Sequence, residues 1–285
     1  RRMQSLTARV EGITREHLEA MQRNGPPADL VAAFARPIPA LVICELLGVP
    51  YADRATFQQH VMTLMSQGST LDELGAAMRG LQEYMIGLVR AKRAMPGDDI
   101  ISALTASDLD DDELAGVGGF LLGAGFDTTA NMLALGTFAL LLHPDQLAAL
   151  RADPGLAEPA VEELLRYLTI AHTNLRAALE DVELAGRVIR AGQTVTLAMQ
   201  AANRDPLRFP DPDALDLRRR TTGHVALGYG LHLCLGAQLA RVEMRVALPA
   251  LLGRFPTLRL DCPPSEVPMR GDANLYGAHR LPVAW

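Results

Sequence analysis

With 285 residues, 49% hydrophobic and 21% charged, the chain has enough apolar mass for a sizeable core and is neither disordered nor fibrous. Its 33 acidic residues against 27 basic ones give a net charge of -6, and no basic run has interleaved aromatics, which argues against a nucleic-acid partner. The three cysteines, Cys44, Cys234 and Cys262, form no C-x-x-C pair, so neither a disulfide framework nor a tetrahedral zinc site is indicated and a reducing cytoplasm fits best.

The N-terminal run Arg1-Arg2-Met3-Gln4-Ser5 is charged and lacks the apolar stretch of a signal peptide. Apolar residues at helical spacing then predict helices over roughly 28–47, 51–65, 70–94, 98–106, 111–142, 144–152, 158–168 and 235–252. Breakers separate them: Gly48-Val49-Pro50, Met95-Pro96-Gly97, His143-Pro144 and Asp153-Pro154-Gly155. Residues 115–142 hold a single charge, Asp127, and exceed the roughly 20 residues that a bilayer crossing needs. The polar patch Asp127-Thr128-Thr129-Ala130-Asn131, and glycines at 116, 118, 119, 123 and 125, instead predict a long buried helix of a soluble protein, with no membrane contact.

Between 175 and 200 the pattern turns β-like, with Val182-Glu183-Leu184 and Val188-Ile189 flanking Ala185-Gly186, then Thr194-Val195-Thr196-Leu197. A loop rich in turn formers runs from Asn203 to Asp213, long for a compact domain unless it has a task. The expectation is a mainly α protein with small β-sheets and no internal repeat.

Chemistry concentrates at Cys234. It sits in Leu227-Gly228-Tyr229-Gly230-Leu231-His232-Leu233-Cys234-Leu235-Gly236, ahead of the helix-forming run that starts at Ala237. Glycines let backbone pass close to something flat and bulky, and a following helix start favours thiolate, the form that ligates metals. The bland alternative is a buried cysteine acting as a small hydrophobe.

This segment resembles the haem-ligand motif of the cytochrome P450 family, Phe-x-x-Gly-x-His/Arg-x-Cys-x-Gly. Gly230, His232, Cys234 and Gly236 match, and Leu227 stands where the usual Phe would be. The resemblance covers nearly the whole chain and implies the cytochrome P450 fold as one domain over 1–285, with Cys234 as the iron ligand of haem b and Gly228, Gly230 and Gly236 close to the ring. Glu163-Leu164-Leu165-Arg166 is similar to the family's Glu-x-x-Arg motif, and sequence order makes Arg204 the candidate third member of that structural network.

In the long helix, Gly123-Ala124-Gly125-Phe126-Asp127-Thr128-Thr129 resembles the family's oxygen-activating segment. A threonine hydroxyl can bond back to the carbonyl four residues earlier, here Ala124, and opens the turn. The resemblance makes Thr128 a hydrogen-bond donor to dioxygen and Asp127 a gate to solvent; a kinked core helix is the alternative. Arg176 and His232 are candidate propionate partners, although Arg176 also reads as an ordinary surface arginine.

The family chain begins about a quarter of its length earlier, so the resemblance implies an N-terminally incomplete sequence that lacks a β-rich region and early helices. No Gly-x-Gly-x-x-Gly or Walker loop is present. Electrons would therefore come from a separate ferredoxin or flavodoxin, with Arg241 and Arg245 as plausible contacts or as a solvated helix face. The implied function is a cytoplasmic, monomeric haem-thiolate monooxygenase that uses dioxygen to hydroxylate or epoxidise a small, largely apolar natural product. Alternatives are peroxide-driven oxygenation at the same haem and haem or ligand binding without turnover. Residues 169–175, 121–124, Leu275 and Tyr276 are the expected pocket, and Thr169-Ile170-Ala171-His172-Thr173 resembles actinobacterial secondary-metabolite oxidases.

Overall fold

The structure, a computed structural model, describes residues 2–285; Arg1 of the charged N-terminal run lies outside them. The helices are α1 (Arg2–Asn24), α2 (Pro37–Leu47), α3 (Arg54–Met65), α4 (Leu71–Ala94), α5 (Ile100–Leu104), α6 (Asp111–Leu142), α7 (Pro144–Ala152), α8 (Ala157–Leu168), α9 (Met199–Ala202) and α10 (Ala237–Arg254). Strands β1 (Ala28–Asp29), β2 (Thr173–Ala177), β3 (Val182–Leu184), β4 (Arg187–Ile189), β5 (Thr194–Ala198), β6 (Arg259–Leu260) and β7 (Pro282–Ala284) form three small antiparallel sheets, ordered β1-β7-β6, β2-β5 and β3-β4.

Two expectations need correction. Residues 28–36 are not the start of a helix: β1 and a five-residue π turn, Val31–Ala35, precede α2. Asp29 explains the difference, since its Oδ1 accepts the Val31 amide at 3.0 Å and the Leu281 amide at 2.9 Å, tying this stretch to the C-terminal end of the chain. The second correction is α1, a 23-residue helix where no element was expected.

Helix α6 organises the interior. Asp110 caps it, accepting the Glu113 amide at 2.8 Å while Glu113 takes the Asp110 amide at 3.0 Å. The helix is long and apolar enough to cross a membrane, yet 72% of its most apolar window is buried within the protein. It packs against α2 and α4 on its first half and against α8 and α10 on its second. Two apolar clusters divide it between them. Leu114, Ala115, Leu122 and Phe126 belong to a cluster built with α3, α4, α5 and the end of α2. Met132, Leu133, Leu135, Ala139 and Leu140 belong to a larger one built with α1, α8 and α10. The polar turn 127–131 lies on the boundary.

Candidate active site

Glu163 and Arg166 are the framework of the site. Both side chains are fully buried, and the guanidinium grips the carboxylate in a fork, Nε to Oε2 at 2.7 Å and Nη2 to Oε1 at 2.8 Å. The third member is Arg219 rather than Arg204: Arg219 Nε donates to Glu163 Oε1 at 3.1 Å, alongside the Asp216 amide at 3.0 Å. Arg204 turns outward instead, pairing with Asp213, donating to the Tyr167 carbonyl at 2.8 Å and stacking 4.5 Å over the Tyr167 ring. Arg166 also holds the loop after α9, through the carbonyls of Asn203 at 2.9 Å and Pro212 at 2.8 Å.

From there a chain of bonds leads to Cys234. Asn203, fully buried, donates through Nδ2 to the Thr169 hydroxyl and accepts the Val225 amide on Oδ1, both at 2.8 Å. Two residues on, the Leu227 carbonyl accepts the Cys234 amide at 2.8 Å. Thr169, expected in the pocket, is thus part of the frame; its φ of 39° ends α8 and its hydroxyl also bonds the Arg166 carbonyl at 2.7 Å.

Glycine is required in the cysteine loop at Gly228. Its φ is +78°, and a Cβ there would lie 2.5 Å from the His232 carbonyl oxygen. The loop closes through a short turn over Gly230–His232 and leaves Cys234 exposed two residues before Gly236 caps α10. Leu231, Leu233, Leu235 and Tyr229 are exposed around it, an unusual concentration of apolar surface. His232 is exposed in the same turn. Arg176, half-buried on β2, donates to its own neighbour's carbonyl, Leu175 O. The donor set fits an iron porphyrin: one soft sulfur, an apolar apron, cations of the kind propionates need, and no cluster of three metal-ligating side chains among the described residues.

Arg241, one of the two expected docking arginines, is committed inward. Its guanidinium forks onto Glu162, Nε to Oε1 at 2.6 Å and Nη2 to Oε2 at 2.9 Å. Burial alone would push Glu162 up, but His224 Nε2 at 3.0 Å and Arg241 override it and hold the carboxyl down at about 2. The Ala226 amide donates to His224 Nδ1 at 3.3 Å, which places the ring proton on Nε2. Arg241 lies within electrostatic range of Cys234 and stays charged. Arg245 is more exposed, 3.7 Å from Glu158.

On α6, the Thr128 hydroxyl donates to the Ala124 carbonyl at 2.8 Å. Its proton is therefore taken, and Oγ1 presents lone pairs to any further partner, the reverse of the donor role expected. Asp127 is not open to solvent. Buried together with Arg270, it accepts Nη1 on Oδ1 at 2.9 Å and on Oδ2 at 2.8 Å. Asn131 Nδ2 bonds the Asp127 carbonyl at 2.8 Å.

A further acid lies beside this turn. Glu243, on α10 nine residues past Cys234, is buried and meets the side chain of Thr129. Burial pushes its carboxyl up to about 8 despite the Thr129 hydrogen bond, so it is protonated at neutral pH. Its Oε2 has no hydrogen-bond partner among the described residues. This contact ties the Thr128 turn to the helix that starts after Cys234. Sequence reading missed Arg219, Asn203, Glu243 and Arg270; the signal for Arg219 was present in the triple Arg218-Arg219-Arg220 shortly before the cysteine loop.

Comparison with known proteins agrees with this geometry. The family model described as Cytochrome P450 matches residues 155–273. The whole chain is 56% identical to cytochrome P450 105C1 of a Streptomyces species, spanning 76% of that protein, and 47% identical to pentalenic acid synthase of Streptomyces avermitilis, spanning 72% of it. The crystal structure of CYP105P1 in complex with filipin I superposes over the whole chain and 73% of its own, with a TM-score of 0.97 at 44% identity. These relatives are oxidoreductases of a haem b family. Shared sequence at this level, together with a thiol loop anchored through Asn203 to a buried Glu-x-x-Arg frame, means that the chain belongs to the cytochrome P450 family.

Proposed function

We propose that the chain is a single-domain, cytoplasmic haem-thiolate monooxygenase that activates dioxygen and places one oxygen atom into a small, largely apolar natural product by hydroxylation or epoxidation. The observation that carries this reading is the alignment of two machines on one frame. The exposed Cys234 loop and the Thr128 turn, which stays within a continuous α6, are joined by the Thr129–Glu243 contact between α6 and α10.

Bound haem would supply dioxygen activation; Cys234 would ligate its iron, His232 and Arg176 would pair with its carboxylates, and Gly228, Gly230 and Gly236 would let the backbone approach it. This chain's residues do the rest. Leu231, Leu233 and Leu235 offer exposed apolar surface beside the sulfur, against which a flat apolar ring would pack. Arg241, fixed by Glu162, keeps positive charge near it. Thr128 offers an acceptor at Oγ1, because its proton is held by the Ala124 carbonyl. Asp127, once released from Arg270, can carry protons from solvent to that turn. Ala124 and Leu121 line the substrate side, with Tyr276 and His172, whose rings lie 5.2 Å apart. Electrons come from a separate ferredoxin, docking on the α10 side near Arg245. The natural-product class is supported by the relatives, one named pentalenic acid synthase and one crystallised with filipin I.

The test is the spectrum of the reduced, carbon monoxide-bound protein. A red-shifted thiolate band that vanishes in Cys234→Ser supports the reading, and its absence in the wild type overturns it. Ligand-induced spin shifts across polyketides and terpenoids, then NADH consumption with a ferredoxin system, separate turnover from mere binding.

A further inference from the structure

We propose that residues 268–278 form a strap that couples the turn between α3 and α4 to Asp127, with Arg270 as the positioning residue for that carboxylate. This rests on the oxygenase reading above and extends it to how proton entry is controlled.

The strap is closed at its base and tied at its tip. At the base, the Arg270 amide donates to the Gly277 carbonyl at 2.8 Å, and Met269 bridges Ala278. At the tip, four contacts reach the turn after α3. Ser66 bridges Ala273, the Gln67 amide donates to Asp272 O at 2.8 Å, Gln67 Nε2 to Ala273 O at 3.2 Å, and the Asn274 amide to Met65 O at 3.2 Å. Between base and tip, the Tyr276 amide donates to Ile170 O at 2.9 Å.

The strap also bridges the two apolar clusters. Its roots, Val267 and Ala278, are buried in the α1–α8–α10 cluster, whereas the turn that its tip grips joins α3 and α4 of the other. Any relative movement of the clusters must therefore load the strap. Arg270 is where that load meets chemistry. It is nearly fully buried, spends Nη1 on both Asp127 oxygens, and leaves Nε with no hydrogen-bond partner among the described residues. A buried donor left unmade makes the paired position less favourable than a fully satisfied one. Because Arg270's backbone is bonded within the strap, a pull at the tip shifts its side chain against Asp127. Gly277 allows no slack: a Cβ there would fall on the Asn131 side-chain oxygen. A guest that lifts the α3–α4 turn thus frees Asp127 for proton transfer, and a settled turn returns it to Arg270.

Hydrogen exchange on the haem-loaded protein tests the coupling without turnover. Asn274→Pro cuts one tip tie, and Gln67→Ala cuts another should the first variant fold poorly. The expected result is roughly tenfold faster exchange in residues 124–131, which neither substitution touches, about the effect of one lost hydrogen bond. Faster exchange confined to 65–74 and 271–275 overturns the proposal. In turnover, Arg270→Gln should release more peroxide per NADH and alter the solvent isotope effect, with Arg270→Lys restoring part of the coupling. Unchanged peroxide yield and isotope effect in Arg270→Gln would overturn Arg270's role while leaving the thiolate spectrum, and the oxygenase reading, intact.

Discussion

Asn203 stands between Thr169 and Val225, donating to one and accepting from the other at 2.8 Å each, and through them it connects the end of α8 to the cysteine loop. Asn203→Leu preserves size while orphaning the Val225 amide, and a buried polar group left unmade costs about 1–3 kcal/mol. We expect a lower melting temperature and a reduced haem-to-protein absorbance ratio, measured on the purified variant. A variant with wild-type haem content would sever Asn203 from the loop's architecture.

The two candidate third members of the Glu163 network make opposite predictions. Arg219 is nearly buried and bonds the fully buried carboxylate, whereas Arg204 pairs with a mostly exposed Asp213. Arg219→Ala should cost about 3–5 kcal/mol, the penalty for stripping a partner from a buried pair. Loss of the Arg204–Asp213 pair in Asp213→Ala should cost under about 1 kcal/mol. Urea unfolding of both variants decides the order.

Glu243 should make stability fall with rising pH. Its carboxyl is raised from 4.5 to about 8 in the folded chain, so the folded state holds a proton that the unfolded state has released. The stabilisation is complete below about 4.5, declines through the neutral range and is lost above about 8. Each pH unit inside that window removes about 1.4 kcal/mol at most. Glu243→Gln, which keeps a hydrogen-bond partner for Thr129 without the titration, should flatten the profile. Melting curves at several pH values would show it.

Gly228 and Gly230 both have positive φ, yet they should respond differently to alanine. At Gly230 (φ +65°) a Cβ meets no atom of the described residues within 4 Å, so Gly230→Ala costs the fold roughly the 1–2 kcal/mol of left-handed backbone. At Gly228 the added carbon strikes the His232 carbonyl, and backbone must move. We expect Gly228→Ala to lower the melting temperature of the protein more than Gly230→Ala does.

Local chemistry was readable in the sequence. Thr128 bonding Ala124 and Glu163 pairing with Arg166 are relations three or four residues apart, set by helix geometry alone. The Cys234 turn announces itself through glycines at fixed offsets. What stayed hidden is long-range. Arg219 reaches Glu163 across 56 residues, and Arg270 reaches Asp127 across 143; no periodicity encodes such partners. Asp127 and Arg241 were read without their partners for that reason, since each spends its charge on a distant residue, Arg270 and Glu162. Strands of two or three residues, such as β1, β6 and β7, are too short to leave an alternation in the sequence.

The division of α6 between two apolar clusters gives the molecule a seam. The smaller cluster, built on α3, α4, α5 and the first half of α6, buries fewer side chains and should open as a unit at lower free energy than the rest. A bulky guest can then enter by parting one half of the protein from the other, while the half that grips Cys234 through Asn203 and Glu163 stays closed. Limited proteolysis would find that seam first, cutting between α3 and α5 long before the cysteine loop.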